Sequence, residues 1–180
     1  MSVEQIVAVE GGSPVPATIN FYYEIEKLFN SVSIRTAYRA KMTKDQQGES
    51  QLDDIQLTSQ ERSIFLEFLE MVTFDTFGEL FKITESVKEP IFFNINYTPL
   101  SPAVAVLCCG AKILDNENYS LNILQNLDKK IENCLRYGTL REWAISTSQL
   151  EDAKINEAQY KEYIRKVKNL SFELRKPLMT

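Results

Sequence analysis

Histidine is missing from all 180 residues, and with it the commonest general base, pH switch and transition-metal ligand. The other chemistry-bearing residues do not fill the gap. Three cysteines stand at 108, 109 and 134. A thiol nucleophile needs a base beside it, so Cys108, Cys109 and Cys134 read as small buried hydrophobes. They form neither a secreted disulfide framework nor a Cys-x-x-Cys zinc spacing, which points to a reducing compartment. Carboxylate pairs such as Asp53 with Asp54, or Glu67 with Glu70, could do glycosidase work, but in an acidic run without a pocket signature they read as solubilising charge. Gly11-Gly12 runs into Ser-Pro and the other glycines are isolated, so no phosphate loop is present. Asp115 and Glu117, with asparagines at 116 and 118, lack the spacing and the glycine of a calcium loop. The expectation is a chain without catalytic residues, cofactor or metal.

Two basic groups remain. Arg35, Arg39, Lys41 and Lys44 gather beside Tyr38, where they could contact phosphate or nucleic acid. The blander reading, a solvated face or a set of ion-pair partners, is favoured. Between positions 161 and 176 lie six basic residues, including Arg165, Lys166 and Lys168, against two acidic ones, a local charge of +4. The stretch from 45 to 89 has the opposite sense, with eleven acidic residues against three basic, a local charge of −8. The whole chain carries −5, which disfavours non-specific binding to nucleic acid.

The length suits one domain with a sizeable core, and ten Phe and eight Tyr supply it. Residues 120–145 are the cleanest amphipathic helix. Leu124, Leu127, Ile131, Cys134, Leu135 and Gly138 recur at steps of three and four, while Asp128, Lys129 and Glu132 fall on other faces. Trp143 and Ile145 are expected to seal the base of the core. Residues 21–41 read as a first helix capped by Asn20 and interrupted at Ser31-Val32-Ser33, with Ile25, Leu28, Phe29 and Val32 inward. A polar loop at 43–57 leads to Thr58-Ser59-Gln60-Glu61, a capping box. It opens a second helix with Ile64, Phe65, Phe68, Leu69, Val72, Phe77 and Phe81 as its stripe. A polar link at 146–155, with Ser148 as a possible cap, precedes a last helix built on Tyr160, Tyr163, Ile164, Val167, Leu170 and Leu174.

After Pro90, Ile91-Phe92-Phe93-Asn94-Ile95-Asn96-Tyr97 alternates with period two and is rich in β-formers. A break at 98–102, containing Leu100 between two prolines, and an apolar return at 103–109 make a hairpin. Residues 1–20, with two Gly and two Pro, read as an arm, either disordered or ordered against a neighbouring subunit. The expected fold is mainly α: an antiparallel bundle of about four helices over 21–180, with an inserted β-hairpin at about 91–109 and an extended N-terminal arm. The N-terminus lacks a signal sequence and no run is long enough to span a bilayer, so a soluble protein without membrane contact is expected.

The runs Tyr23-Glu24-Ile25-Glu26-Lys27-Leu28-Phe29, Ser33-Ile34-Arg35-Thr36-Ala37-Tyr38-Arg39-Ala40-Lys41, Lys130-Ile131-Glu132-Asn133-Cys134-Leu135, Leu140-Arg141-Glu142-Trp143 and Leu174-Arg175-Lys176-Pro177 resemble small structural proteins of tailed bacteriophages of gut Bacteroidetes, including crAss-like phages. The resemblance runs in order from about Tyr23 to Pro177 and rests on packing motifs, without catalytic signatures. It implies a virion component similar to head-tail connector or ring proteins: helical, oligomeric and non-enzymatic, with a hairpin or loop and an arm that reach neighbours. On that basis the expected function is an oligomeric ring between portal and tail, assembled in the host cytoplasm. Its partners would be portal and tail proteins, and DNA only indirectly. The expected interface residues are Ile91, Phe93, Ile95, Tyr97 and Leu100 of the hairpin, with Arg35, Arg39, Lys41, Arg165, Lys166 and Lys168 on charged faces. The alternative is a cytoplasmic adaptor or regulatory module that binds nucleic acid or an acidic partner through a basic cluster.

The placing of Trp143 in the core can be checked directly. Trp143→Ala is expected to cost about 3 to 5 kcal/mol in urea unfolding, and an unchanged midpoint would put the residue elsewhere.

Overall fold

The computed structural model describes residues 4–6, 17–42, 55–84, 95–101, 104–113 and 121–173. A short strand β1 (Glu4–Ile6) pairs antiparallel with β2 (Ala17–Glu24), Glu4 opposite Asn20 and Ile6 opposite Thr18. Positions 21–24 are therefore strand, where the sequence reading begins a helix, and Asn20 lies within β2 and caps nothing. The physical reason is a period of two: Phe21 and Tyr23 are buried while Tyr22 and Glu24 are half-exposed, and aromatic residues suit a pleated, half-buried surface. Helix α1 (Ile25–Met42) follows at once and runs through Ser31-Val32-Ser33 without a break. Its hydroxyl groups are engaged outside the helix as well as within it. Ser33 Oγ donates to the Leu57 carbonyl at 2.7 Å, and Thr36 Oγ1 accepts from the Leu57 amide at 3.0 Å while donating to the Ser33 carbonyl at 2.9 Å. Directed at a tertiary partner, these groups pin the chain ahead of the next helix instead of ending this one.

The end of the expected polar loop is core: Ile55 and Leu57 are buried, and residues 43–54 lie outside the described residues. The Thr58 capping box forms, with Thr58 Oγ1 accepting from the Gln60 amide at 3.2 Å and Glu61 Oε2 accepting from the Thr58 amide at 2.9 Å. It closes a single 3₁₀ turn, Ser59–Glu61, that feeds α2 (Arg62–Thr84). Phe65, Leu69, Val72 and Phe77 are buried as expected, and Phe65 meets Phe29 of α1 edge-on at 5.2 Å between centroids. Ile64, expected in that stripe, is exposed.

Strands β3 (Ile95–Ser101) and β4 (Val104–Ile113) complete an antiparallel sheet of order β1-β2-β4-β3. β3 runs through the expected break at 98–102, with a register shift between Pro99 and Ser101. An edge strand tolerates proline because the missing N–H costs no ladder bond on its open side. The sheet meets the helices through Phe21, Tyr23 and Leu107, which join the same core as α1, α2 and the C-terminal helices.

Helix α3 (Leu121–Ser146) carries Leu127, Ile131, Cys134, Leu135, Leu140 and Trp143 into the core. Asp128, expected outside, is buried against the sheet, and Ile145 is exposed and does not seal the core base. The link to α4 (Leu150–Glu173) is far shorter than the polar connection expected from the sequence. Ser148 takes φ 60°; its amide donates to the Ile145 carbonyl at 3.1 Å and the Gln149 amide to the Ala144 carbonyl at 2.7 Å. That pair of bonds is a Schellman end, with serine in the left-handed position where glycine is usual. Ser148 thus closes α3 and does not open α4. The tight turn returns α4 antiparallel along α3, with Tyr160, Ile164 and Val167 buried. The mainly helical reading holds, with a four-stranded sheet on one side of the helices.

Gly138 of α3 faces both Val72 of α2 and Tyr160 of α4. A methyl group there would overlap Val72 Cγ1 and lie 3.3 Å from Tyr160 Cδ2. A β-branched side chain in a helix has one strongly preferred rotamer and cannot simply turn away. Overpacking costs about 1 to 3 kcal/mol, partly offset by roughly 1 kcal/mol of helix propensity. Gly138→Ala is therefore expected to destabilise by about 1 kcal/mol net, read as a lowered melting temperature. An equal or raised one would show that the crossing has slack.

Candidate functional site

A groove of about 750 Å³ opens between α1, α3 and the start of α4, within the usual size range for ligand or side-chain recognition. Its floor is Trp143, whose indole Nε1 donates to the Ile55 carbonyl at 2.6 Å, so the one polar atom of the ring is satisfied beneath an apolar surface. Ile34 and Tyr38 on α1 and Ile155 on α4 form the walls and are largely exposed. Arg39 bridges the groove's edge to Asp152, Nε to Oδ2 at 3.0 Å with a second bond from Nη2 to Oδ1, a bidentate arrangement that fixes α1 against α4. Arg35 lies 5.0 Å over the Tyr137 ring and donates to its hydroxyl at 3.2 Å.

The expected basic cluster therefore splits. Arg39 has a carboxylate partner, Arg35 is stacked on an aromatic ring, and Lys41 is exposed at the end of α1. On α4, Lys168 reaches Glu79 of α2 at 2.6 Å, Lys166 pairs with Glu162 at 2.6 Å and lies over Tyr163, and Arg165 is exposed. Part of the opposite charge on α2 and α4 is thus matched within one chain. Ile95, Tyr97 and Leu100 lie on β3, while Ile91 and Phe93 fall outside the described residues. Among the described residues, the groove lining comes from α1, α3, α4, the turn joining α3 to α4, and Ile55.

Burial governs the other ionisable groups. It pushes the Cys134 thiol up to about 12, which keeps it protonated and inert, as a packed thiol should be. Tyr160 is likewise pushed up to about 12 by burial, against the pull of its 3.3 Å bond with Thr76. Burial disfavours the charge of Arg141, yet its bonds to Glu157, at 2.8 Å, and to Glu142 outweigh it and raise its pKa. Glu157 is the mirror case, held below the carboxylate range by Lys161 and Arg141 despite burial. These are structural ion pairs on the α3–α4 seam. Among the described residues no group of three or more His, Cys, Asp or Glu is placed to hold a metal ion, and no helix is long and apolar enough to cross a membrane.

The sequence reading missed the groove. Ile34 and Tyr38 fall on the face of α1 opposite its core stripe, and that misplaced apolarity was the available signal. No protein family model matches the chain, and the comparisons with curated proteins and with solved structures found no match.

Asp128 gives a pH test of the helix–sheet junction. Burial raises its carboxyl pKa, a hydrogen bond from Tyr23 works against that rise, and Glu132 adds to it. The folded state thus holds the proton more tightly than the unfolded chain. The cost is absent below the ordinary carboxylate range, grows as pH rises through the unfolded pKa of about 4, and is complete above the folded pKa. Asp128→Asn is expected to raise the melting temperature at pH 7 and to change it least near pH 3. A gain that is the same at both pH values would sink this account.

Proposed function

We propose that this chain is a virion structural protein of a tailed bacteriophage, one copy of an oligomeric ring in the portal-to-tail region, with no catalytic role. The observation that carries this reading is the position of β3. It stands at the rim of the sheet, and among the described residues it pairs only with β4. An edge strand offers a row of backbone donors and acceptors to a neighbouring chain, and adding a strand to such an edge is a recurrent mode of assembly. In this reading the β3–β4 hairpin is the element that engages a neighbour, with Ile95, Tyr97 and Leu100 on the engaging strand. The segment ahead of β2 acts as the arm; its strand β1 is held by three residue pairs alone. The helices supply the rigid body. Neighbours would be further copies, portal protein and tail protein, with DNA passing only indirectly.

The adaptor reading is weaker on a specific ground: Arg39 of its basic cluster is already bound to Asp152. Light scattering and native mass spectrometry of the purified chain decide between them. A closed oligomer of fixed copy number, unchanged by added duplex DNA, is the expected result. A strict monomer at high concentration that binds DNA in a salt-sensitive way would establish the adaptor instead.

A further inference from the structure

Helix α2 has two apolar faces. One is in the core; the other carries Ile64, Met71 and Phe74 into solvent, with Phe74 59% exposed. At 100° per residue these three fall within one arc, opposite the buried Phe65, Leu69, Val72 and Thr76. Gly78 lies in the same arc, and a Cβ built on it meets nothing within 4 Å, so the helix backbone there is open to close approach. Glu67 and Glu70 are exposed in this arc, with Asp75 at its other margin. The face is thus an apolar stripe with an acidic setting. The groove described above has the complementary character: apolar walls at Ile34, Tyr38 and Ile155, with Arg35 in its α1 lining and Lys41 exposed beyond the lining, at the end of α1. Among the described residues, none from α2 lines it.

We infer that the outer face of α2 from one copy of this chain docks into the α1–α4 groove of another. Resting on the ring reading, this names the helical contact that would join neighbours. The mode is a helix in a groove: Phe74 and Met71 fill the space above Trp143 while Glu67 and Glu70 face Arg35 and Lys41. Charge complementarity selects the occupant, since like charges juxtaposed at such a contact are costly. The two surfaces share no residue, so each copy can give its α2 face to one neighbour and its groove to another. Such a contact is heterologous and propagates until it closes.

The test uses two full-length variants with opposite defects, Phe74→Asp and Ile34→Asp, both at exposed positions and both checked for an unchanged melting profile. Under conditions where the wild-type chain is oligomeric, each variant alone is expected to sediment as a monomer. Mixed in equal amounts they are expected to form a 1:1 species of twice the monomer mass and nothing larger, because one intact face and one intact groove remain between them. Glu67→Lys with Glu70→Lys should weaken assembly at least tenfold, and a partner carrying Arg35→Glu and Lys41→Glu should restore the pairing. A wild-type oligomer unaffected by Phe74→Asp or Ile34→Asp would overturn this contact while leaving the ring reading intact. Monomeric variants that fail to complement would also overturn it, giving these faces to a different protein. A wild-type chain that never assembles would defeat both.

Discussion

Val72 of α2 and Tyr160 of α4 converge on the bare Cα of Gly138 in α3, and the rest of the helical body is arranged about that crossing. Interhelical distance is set by the side chains at the point of contact, so a residue without one lets Val72 and Tyr160 pack close against the α3 backbone. The consequence is visible on either side. Thr76 and Tyr160 reach each other at 3.3 Å across the buried seam, and Arg141 ties Glu157 of α4 and, at 3.8 Å, Asp75 of α2 to α3. The buried Thr76–Tyr160 bond, flanked by these part-exposed ion pairs, favours one arrangement because its members lose their partners if the helices slide.

That arrangement commits α3 on most sides and leaves its neighbours with outward faces. α1 is held by polar pins: the Leu57 backbone bonded to Ser33 and Thr36, and the Arg39–Asp152 pair. The core stripe of Ile25, Leu28, Phe29 and Val32 holds α1 on its inner side, and the groove floored by Trp143 lies beside the Arg39–Asp152 pin. α2 is held by one face alone and turns Met71 and Phe74 outward. The exposed apolar surface is therefore a product of the packing scheme. Among the described residues most of it stands on α1 and α2, with Ile145, Leu150 and Ile155 on the other two helices.

Much of the helical body was legible in the sequence because its period is strong. Leu127, Ile131, Cys134 and Leu135 lie inward as their spacing requires, and the Thr58 capping box closes where its residues stand. Three failures share a physical cause, in that tertiary context overrode a local signal. Phe21 and Tyr23 satisfy a strand's period of two as well as a helix's apolar content, and pairing with β4 decides between them. Ser148 resembles a cap by type, yet the chain needs it in the left-handed position. Asp128 belongs by type on the outside, yet it is buried, and the Tyr23 hydroxyl reaches across from β2 to donate to its backbone carbonyl at 3.4 Å. The groove was the least legible feature, since it depends on how far α1 stands from α4, and no single segment encodes that distance.

α2 shows why periodicity alone could not find the outer surface. A helix apolar on one side announces which face is core; one apolar on both gives a weak period, and every large side chain along it invites the same reading. Ile64 was assigned to the core on that basis and lies outside it. The distinguishing information is in the polar residues between. Glu67, Glu70 and Asp75 cannot be buried unpaired, so the arc that contains them must be the outward one, and the apolar residues sharing that arc must be exposed with them. Read by its charges first, the helix separates into Phe65, Leu69 and Val72 within and Ile64, Met71 and Phe74 without, while Phe77, about 20° round from Glu70, stands at the border and is buried.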